Sequence, residues 1–497
     1  RREDVLNTLS QIASRFRKRV GESLETIDQH NTPLAEATTT SLEALGAYST
    51  AWKVHFASGA TASMPFFRQA VEIDPNFAMA HAALGRIYQD IDESDLSSGS
   101  LSRAWQLRER TSDPEKFFIT ANYEALVIGN MEVARETCET WARAYPRDPI
   151  PTTMLSGYMN RVAARYEVAL DWARKSIGLD PDFGIAYYSL AANSMYLNRL
   201  DDAENGLRLA AERGVEIDEH VMLAYDLAFL KGDRAGMEQA SARARRRTGG
   251  EGWISDKEAF ALAYYGRLTE ARNATDRAVT FSERTGEQER AGLWEVGAAV
   301  REALFGNRAE ARQRAGRALK LSRNREVEYG AAFALAQSGE MAHAEALAND
   351  IERRFPEDTS ARFSYMPTLK AVFALQRGDA AKAIEELQSA IPYETGSPRL
   401  MVGAMYPVYV RGEAFLAEGR GAEAAAEFQK ILDHRGVVVS DPVGALARLE
   451  LARAYRMDGD SAKATAAYDD FLALWKDADR DVPVLLEARR ESAGIRN

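Results

Sequence analysis

Gly419-Arg420-Gly421-Ala422-Glu423-Ala424-Ala425-Ala426-Glu427-Phe428-Gln429-Lys430-Ile431 reads as a glycine turn followed by a helix. Ala424, Phe428 and Ile431 fall at i, i+4 and i+7, one apolar stripe at helical spacing. The phrase returns at Gly459 with Ala464, Tyr468 and Phe471, and at Gly378 with Ala383, Leu387 and Ala390. It recurs upstream at Gly339, Gly306, Gly266, Gly232 and Gly129, and at Asn198 and Ala164, where the glycine is replaced. From residue 129 to 459 the turns are 35, 34, 34, 34, 40, 33, 39, 41 and 40 residues apart. Alanine stands five residues after every one of these turns except Gly232, where Met237 takes the place.

A small residue usually stands seven positions before the turn: Gly157, Ala191, Ala259, Ala299, Ala332, Ala371, Gly412 and Ala452. Small residues on both sides of a turn let two antiparallel helices approach closely. Glycine in the turn accepts the positive φ that ends the first helix. A pair of this size cannot bury its apolar face alone, so pairs must stack into a ribbon-like core. The pattern predicts an all-α, right-handed superhelical solenoid of about twelve antiparallel helix pairs over 44–480.

Small residue, turn, alanine, aromatic and a closing proline together resemble the tetratricopeptide repeat. The closing junctions are Ile73-Asp74-Pro75-Asn76, Leu179-Asp180-Pro181-Asp182, Tyr145-Pro146 and Phe355-Pro356, and Leu84, Gly85 and Tyr88 match the first helix. Units after residue 266 run longer, 92–100 reads as a loop insertion, and 218–247 departs most from the pattern.

A narrower resemblance is carried by Gly21-Glu22-Ser23-Leu24, Asn31–Leu45, Ala47-Tyr48, and the run from Phe428 through Asp441-Pro442 and Ala452–Tyr455 to Trp475-Lys476. These look like the C-terminal repeat region of certain bacterial membrane-anchored serine/threonine protein kinases. The resemblance implies a sensor half whose repeats lie outside the cytoplasm, with a cytoplasmic location as the alternative. A stand-alone scaffold, or the repeat region of a winged-helix or cyclase-type regulator, are the other readings.

Four segments are expected: an N-terminal amphipathic helix and lead-in (1–43), a first solenoid half (44–247), a second half with longer repeats (248–480) and a closing helix (481–497). In 3–20, Val5, Leu9, Ile12, Phe16 and Val20 share a face opposite Arg15, Arg17, Lys18 and Arg19. That reads as a helix docked on the first repeat, with contact to a membrane surface as the other reading. Thr40 and Glu43 read as a capping box. Thr248-Gly249-Gly250-Glu251-Gly252 reads as a hinge. Arg243, Arg245, Arg246 and Arg247 before it suit a helix C-terminus, or form an anion patch. The chain begins Arg-Arg without methionine, as a fragment or processed product would.

A net charge of −11 argues against nucleic acid or an anionic membrane as the main partner. No apolar run is long enough to span a bilayer, and no signal peptide is expected within these residues. The single cysteine, Cys138, permits no internal disulfide and lies on a packed helix face.

No catalytic constellation emerges. The six histidines are scattered, and no metalloprotease, nucleophile-elbow or cysteine-pair motif occurs. Asp182-Phe183-Gly184 spells a kinase magnesium triplet without a catalytic loop or glycine-rich loop, and it falls on a turn between repeats. No catalytic, metal or cofactor residues are therefore expected. The expected ligand is a protein or peptide, held by residues of the first helices that line the concave face: Tyr123, Tyr158, Tyr188, Phe260, Phe333, Tyr365, Tyr406 and Tyr409, with Arg86, Arg161 and Arg453 between them. The competing reading is that many of these rings pack between helices.

Overall fold

The computed structural model describes residues 39–397 and 403–496, together with Thr8, Gln11 and Ile12. Apart from Ile12, the amphipathic stripe of 3–20 lies outside the described residues, as does most of the lead-in. Among those described there are helices and no strand. Helix pairs alternate along the chain around twelve left-handed turns: Gly59, Asp92, Gly129, Ala164, Asn198, Gly232, Gly266, Gly306, Gly339, Gly378, Gly419 and Gly459, with φ between 55° and 89°. The described residues form an all-α solenoid of successive helix pairs.

The turn chemistry explains the period. At Gly266 the glycine N–H donates to Ala263 O (2.8 Å) and the Arg267 N–H to Leu262 O (3.0 Å), which satisfies the last carbonyls of the first helix. The closing prolines stand beyond helices Ala60–Ile73, Met131–Ala144, Tyr166–Leu179 and Met341–Arg354. Asp74 and Asp180 accept from the N–H two residues on, at 3.0 and 3.1 Å. The small residues bring helices together as expected. A Cβ on Gly412 would lie 2.6 Å from the Phe428 ring, and one on Gly85 would lie 2.6 Å from Leu101 Cγ.

Two local expectations are corrected. Residues 92–100 are not a loop insertion: Asp92 is a left-handed turn, and helix Ser94–Leu107 follows it. The serine-rich composition hid a helix whose Ser97 and Leu101 pack beneath Gly85. Helix Leu42–Ser58 is capped by Ser41, whose Oγ accepts from Ala44 N at 3.2 Å; Thr39, rather than Thr40, is buried, and its hydroxyl bonds Asp74.

The chain forms two compact units, divided between Met154 and Leu155. The glycine run 248–252 lies inside the second, where left-handed Gly249 precedes helix Gly250–Tyr264. Gly250 leaves no room for a side chain, since a Cβ would lie 2.1 Å from Ala244 O. The arginines beside it are neutralised. Arg243 and Arg247 bond Glu216 at 2.5 and 2.7 Å, and Arg245 bonds Glu258 at 2.6 Å. With these partners the anion-patch reading loses its charge, although Arg246 stays exposed.

The first unit holds the turns at Gly59, Asp92 and Gly129. Its core is built from Phe67, Phe77, Leu84, Ile87, Leu101 and Ile119.

The second unit winds until later pairs meet earlier turns. Tyr166 Oη donates to Thr395 O at 2.7 Å, and Ser397 N to Arg161 O at 3.1 Å. Asn198 donates to Asp433 O (2.6 Å) and accepts from Gly436 N (2.7 Å). Trp475 Nε1 donates to Tyr264 O at 3.0 Å, while Asp479 N reaches Gly266 O (3.1 Å) and Asp479 Oδ2 accepts from Thr269 N (2.7 Å). Val484 N, in helix Pro483–Arg496, reaches Phe305 O at 3.4 Å. A turn thus docks on the end of a pair five or six positions later, and the contacts form a seam.

The seam is close enough to exclude a methyl group. A Cβ on Gly436 would lie 1.8 Å from Met195 O. We expect Gly436→Ala to lower stability by about 1–3 kcal/mol through overpacking against backbone. Gly316→Ala is the control: its Cβ meets nothing within 4 Å on helix Arg308–Leu321. That substitution should stabilise by about 0.5–1 kcal/mol. Denaturant midpoints of the two variants check both signs.

Candidate functional site

The residue six positions before each turn holds the same register position on every first helix. In order these residues are Lys53, Arg86, Tyr123, Tyr158, Ala192, Asp226, Phe260, Val300, Phe333, Val372, Glu413 and Arg453. The register contains most of the residues expected to line a concave groove, and the two units treat it differently.

In the first unit the register stays reachable. Lys53 is exposed, and Arg86 and Tyr123 are half-buried. Arg86 pairs with Asp90 one helical turn on, at 2.9 Å. Tyr123 stacks on Trp105 at 4.4 Å, and the Arg108 guanidinium lies 3.6 Å from the Trp105 ring. Tyr123 also opens a π-helical turn, Glu124–Ile128, before the Gly129 turn. Phe56, three residues before the Gly59 turn, is 63% exposed and stacks on Trp52 at 5.7 Å.

In the second unit the expectation of a groove lined by rings is corrected. Phe260, Phe333, Tyr365, Tyr406 and Tyr409 are buried. Tyr365 stacks on Tyr329 at 4.0 Å, Phe333 packs on Tyr406 at 5.1 Å, and Tyr409 meets Phe428 edge-on at 5.8 Å. The reason is the seam. With the superhelix closed, the inner helices are enclosed on all sides: every residue from Glu289 to Ala303 and from Arg325 to Ala336 is buried. Tyr158 and Tyr188 keep partial exposure, with Tyr158 Oη 3.4 Å from Ser360 Oγ. Arg161 is buried between the rings of Tyr188 (5.3 Å) and Tyr196 (5.8 Å) and donates through Nε to Asn193 Oδ1 at 3.1 Å. Asn193 in turn donates to Ser156 O and Ser189 O, at 2.9 and 2.7 Å.

The enclosed interior is charged, which the apolar stripes did not reveal. Arg301 lies over the Phe260 ring at 4.3 Å and donates to Thr275 Oγ1 at 2.7 Å, with Asp256 4.0 Å away. Burial pushes the Arg301 guanidinium down and lifts the Asp441 carboxyl to about 7. Arg314 reaches Glu295 and Asp276, both at 3.2 Å, and Lys257 holds Asp226 at 2.7 Å. Arg325 pairs with Asp358 and Glu326. A sequence signal for these groups existed: Arg and Glu recur on helices that otherwise have no polar face, as in Trp294–Leu304.

One polar hollow opens in the second unit. It is lined by Val162, Thr359, Ser360, Ser364, Tyr365, Tyr393, Glu394, Gly396, Ser397, Gly403, Met405 and Pro407, and encloses about 370 Å³ including its open mouth. It sits beside a second π-helical turn, Ala361–Tyr365. Its single carboxylate, Glu394, is held by Arg411 (2.7 Å) and Lys430 (2.9 Å).

Motif residues fall on structural roles. Phe183 and Gly184 start helix Gly184–Tyr196, where a Cβ on Gly184 would lie 2.3 Å from Val215 O. Cys138 is buried, and burial pushes its thiol far above the usual range. His220 Nδ1 accepts from Ile217 N at 3.1 Å, and burial lowers its pKa to about 4. Among the described residues, no group of three or more His, Cys, Asp or Glu is placed to hold a metal ion. No helix among them is long and apolar enough to cross a membrane.

No protein-family model matches this chain, and no curated protein matches it. Similar solved structures include PilW, a widely conserved type IV pilus biogenesis factor, at 17% identity over 41% of this chain and 94% of that one, with a TM-score of 0.29. Yeast Tom70 is similar at 13% identity over 91% and 95%, with a TM-score of 0.32. The human IFIT1 dimer with PPP-AAAA is similar at 14% identity over 90% and 94%, with a TM-score of 0.37. At these scores the likeness says nothing of ligand or partner, and the solenoid assignment rests on the helix pairs themselves.

Proposed function

We propose that this chain is a non-catalytic protein-interaction solenoid, and that its first unit takes an extended protein segment along the register Lys53, Arg86 and Tyr123, with Phe56 beside it. One observation carries the reading: the register is reachable at Lys53, Arg86 and Tyr123 in the first unit, whereas Ala192, Phe260, Val300, Phe333 and Val372 of the second are packed core. Tyrosine and arginine are the residue types that anchor protein partners most effectively. The resemblance of the lead-in and the C-terminal run to the region that follows bacterial membrane-anchored serine/threonine kinases supports a sensor role in such a signalling protein.

The test is selection of a random peptide library on the chain, followed by titration of the winners. Tyr123→Ala and Arg86→Ala should each weaken binding by about tenfold, the loss of one interface anchor. Tyr409→Phe, a core change in the second unit, should leave binding unchanged. Selection that yields no peptide sensitive to Tyr123 or Arg86, with both variants melting as the native chain does, would overturn the proposal.

A further inference from the structure

The connection between helices Gly421–Asp433 and Pro442–Met457 carries the one β-branched residue at positive φ among the described residues. Val439 has φ 51° and ψ −109°. It is the second residue of a four-residue turn, closed by Asp441 N on Val438 O at 3.0 Å. That corner belongs to the type II′ turn, where glycine dominates. A side chain branched at Cβ persists there only where its surroundings impose the conformation.

The surroundings hold this segment from three sides. At one end, His434 Nδ1 lies 2.7 Å from Lys430 O. At the other, Asp441 caps the next helix by accepting from Val443 N at 3.1 Å. Between them, the short helix Arg435–Val438 is pinned to the early pairs. Asn198 bridges Asp433 O and Gly436 N, and Arg435 donates to Leu230 O. Val438 packs under Gly444, whose Cβ would lie 2.8 Å from Val438 Cγ1 and 3.0 Å from the Tyr264 ring. Val439 itself packs against the early-pair core that includes Met195 and Phe229. With both ends fixed and the middle docked, the turn has no room to relax.

We propose that 433–441 is a spring-loaded strap. Docking against helices Gly184–Tyr196 and Asp218–Lys231 forces Val439 into the corner that suits glycine, and undocking releases that strain. The second unit therefore opens reversibly at this point of the seam without unfolding. In the open state Val437 and Val438, now buried, become accessible, and the turn at Asn198 separates from the later pairs.

Native-state hydrogen exchange on the whole chain, corrected for intrinsic rates, tests the strap. The 433–441 amides should exchange through an opening at least about tenfold more frequent than the one that exposes helix Arg325–Gln337, which is buried on all sides. Val439→Ala and Val439→Gly both remove the packing of the valine, and only glycine removes the strain. Exchange at 433–441 should therefore be about fivefold slower in the glycine variant than in the alanine variant, the strain relieved less the added freedom of glycine in the open strap. Asn198→Gly is an independent second variant. It keeps the left-handed turn, removes both bridging hydrogen bonds, and should speed exchange at 433–441 by about tenfold. Strap amides that exchange only together with helix Arg325–Gln337 would overturn the proposal. So would a glycine variant no slower than the alanine variant, or an unchanged rate in Asn198→Gly.

Discussion

Replacing Trp475 by alanine is expected to lower the stability of the second unit by about 3–5 kcal/mol, in the range for deleting a large buried aromatic. Trp475 is fully buried at the point where the last pair meets the Gly266 turn. Its ring packs on Phe305 (5.1 Å) and Phe471 (4.9 Å), and its indole N–H satisfies Tyr264 O. Alanine would leave a void and an unbonded carbonyl at the seam. Trp475→Phe keeps most of the apolar contact and loses the hydrogen bond, so it should cost less. Urea denaturation of both variants separates the two contributions. A loss below about 1 kcal/mol for the alanine variant, the size of an ordinary surface change, would mean that the seam does not persist in solution.

Arg411→Ala should be of similar size, about 3–5 kcal/mol, because it removes one partner from a buried ion pair. Arg411 is 4% exposed and bonds both Glu394 (2.7 Å) and Glu427 (2.6 Å). Lys430 remains on Glu394 at 2.9 Å but also reaches Glu427 at 3.5 Å, so one cation is left to two carboxylates. Much of the expected loss comes from the charge that stays buried, and neutralising that charge should recover part of it. The double variant Arg411→Ala with Glu394→Gln is therefore expected to be more stable than Arg411→Ala alone. Denaturant midpoints of the four members of this cycle measure the coupling. A double variant no more stable than the single would show that packing of the arginine stem, rather than its charge, holds this part of the unit.

How legible the fold was depended on range. The turn at Gly266 needs only its own chemistry: a left-handed residue, two backbone hydrogen bonds and small neighbours on either side. The step from one turn to the next therefore shows in the sequence. Serine-rich 92–100 escaped because its helix is held by the packing of Ser97 and Leu101 under Gly85 and of Trp105 on Tyr123, and not by its own composition. The candidate site was legible in part. Arg86, Tyr123 and Tyr158 share one register with Phe260 and Phe333, so the sequence places them on the same inner face. It does not say whether that face meets a ligand or the rest of the chain.

Asn198 marks the boundary between the two kinds of information. From sequence it is a residue that tolerates a left-handed turn. In the folded chain its amide also bridges Asp433 and Gly436, more than two hundred residues away. The helix, the turn and the stacking of each pair on its neighbour are local, set within about forty residues by periodicity and backbone sterics. Closure of the second unit is not local. Small rotations between pairs accumulate, and only their sum brings Thr395 to Tyr166, Gly436 to Asn198 and Trp475 to Gly266. That sum converts Tyr365, Tyr406 and Tyr409 from groove to core.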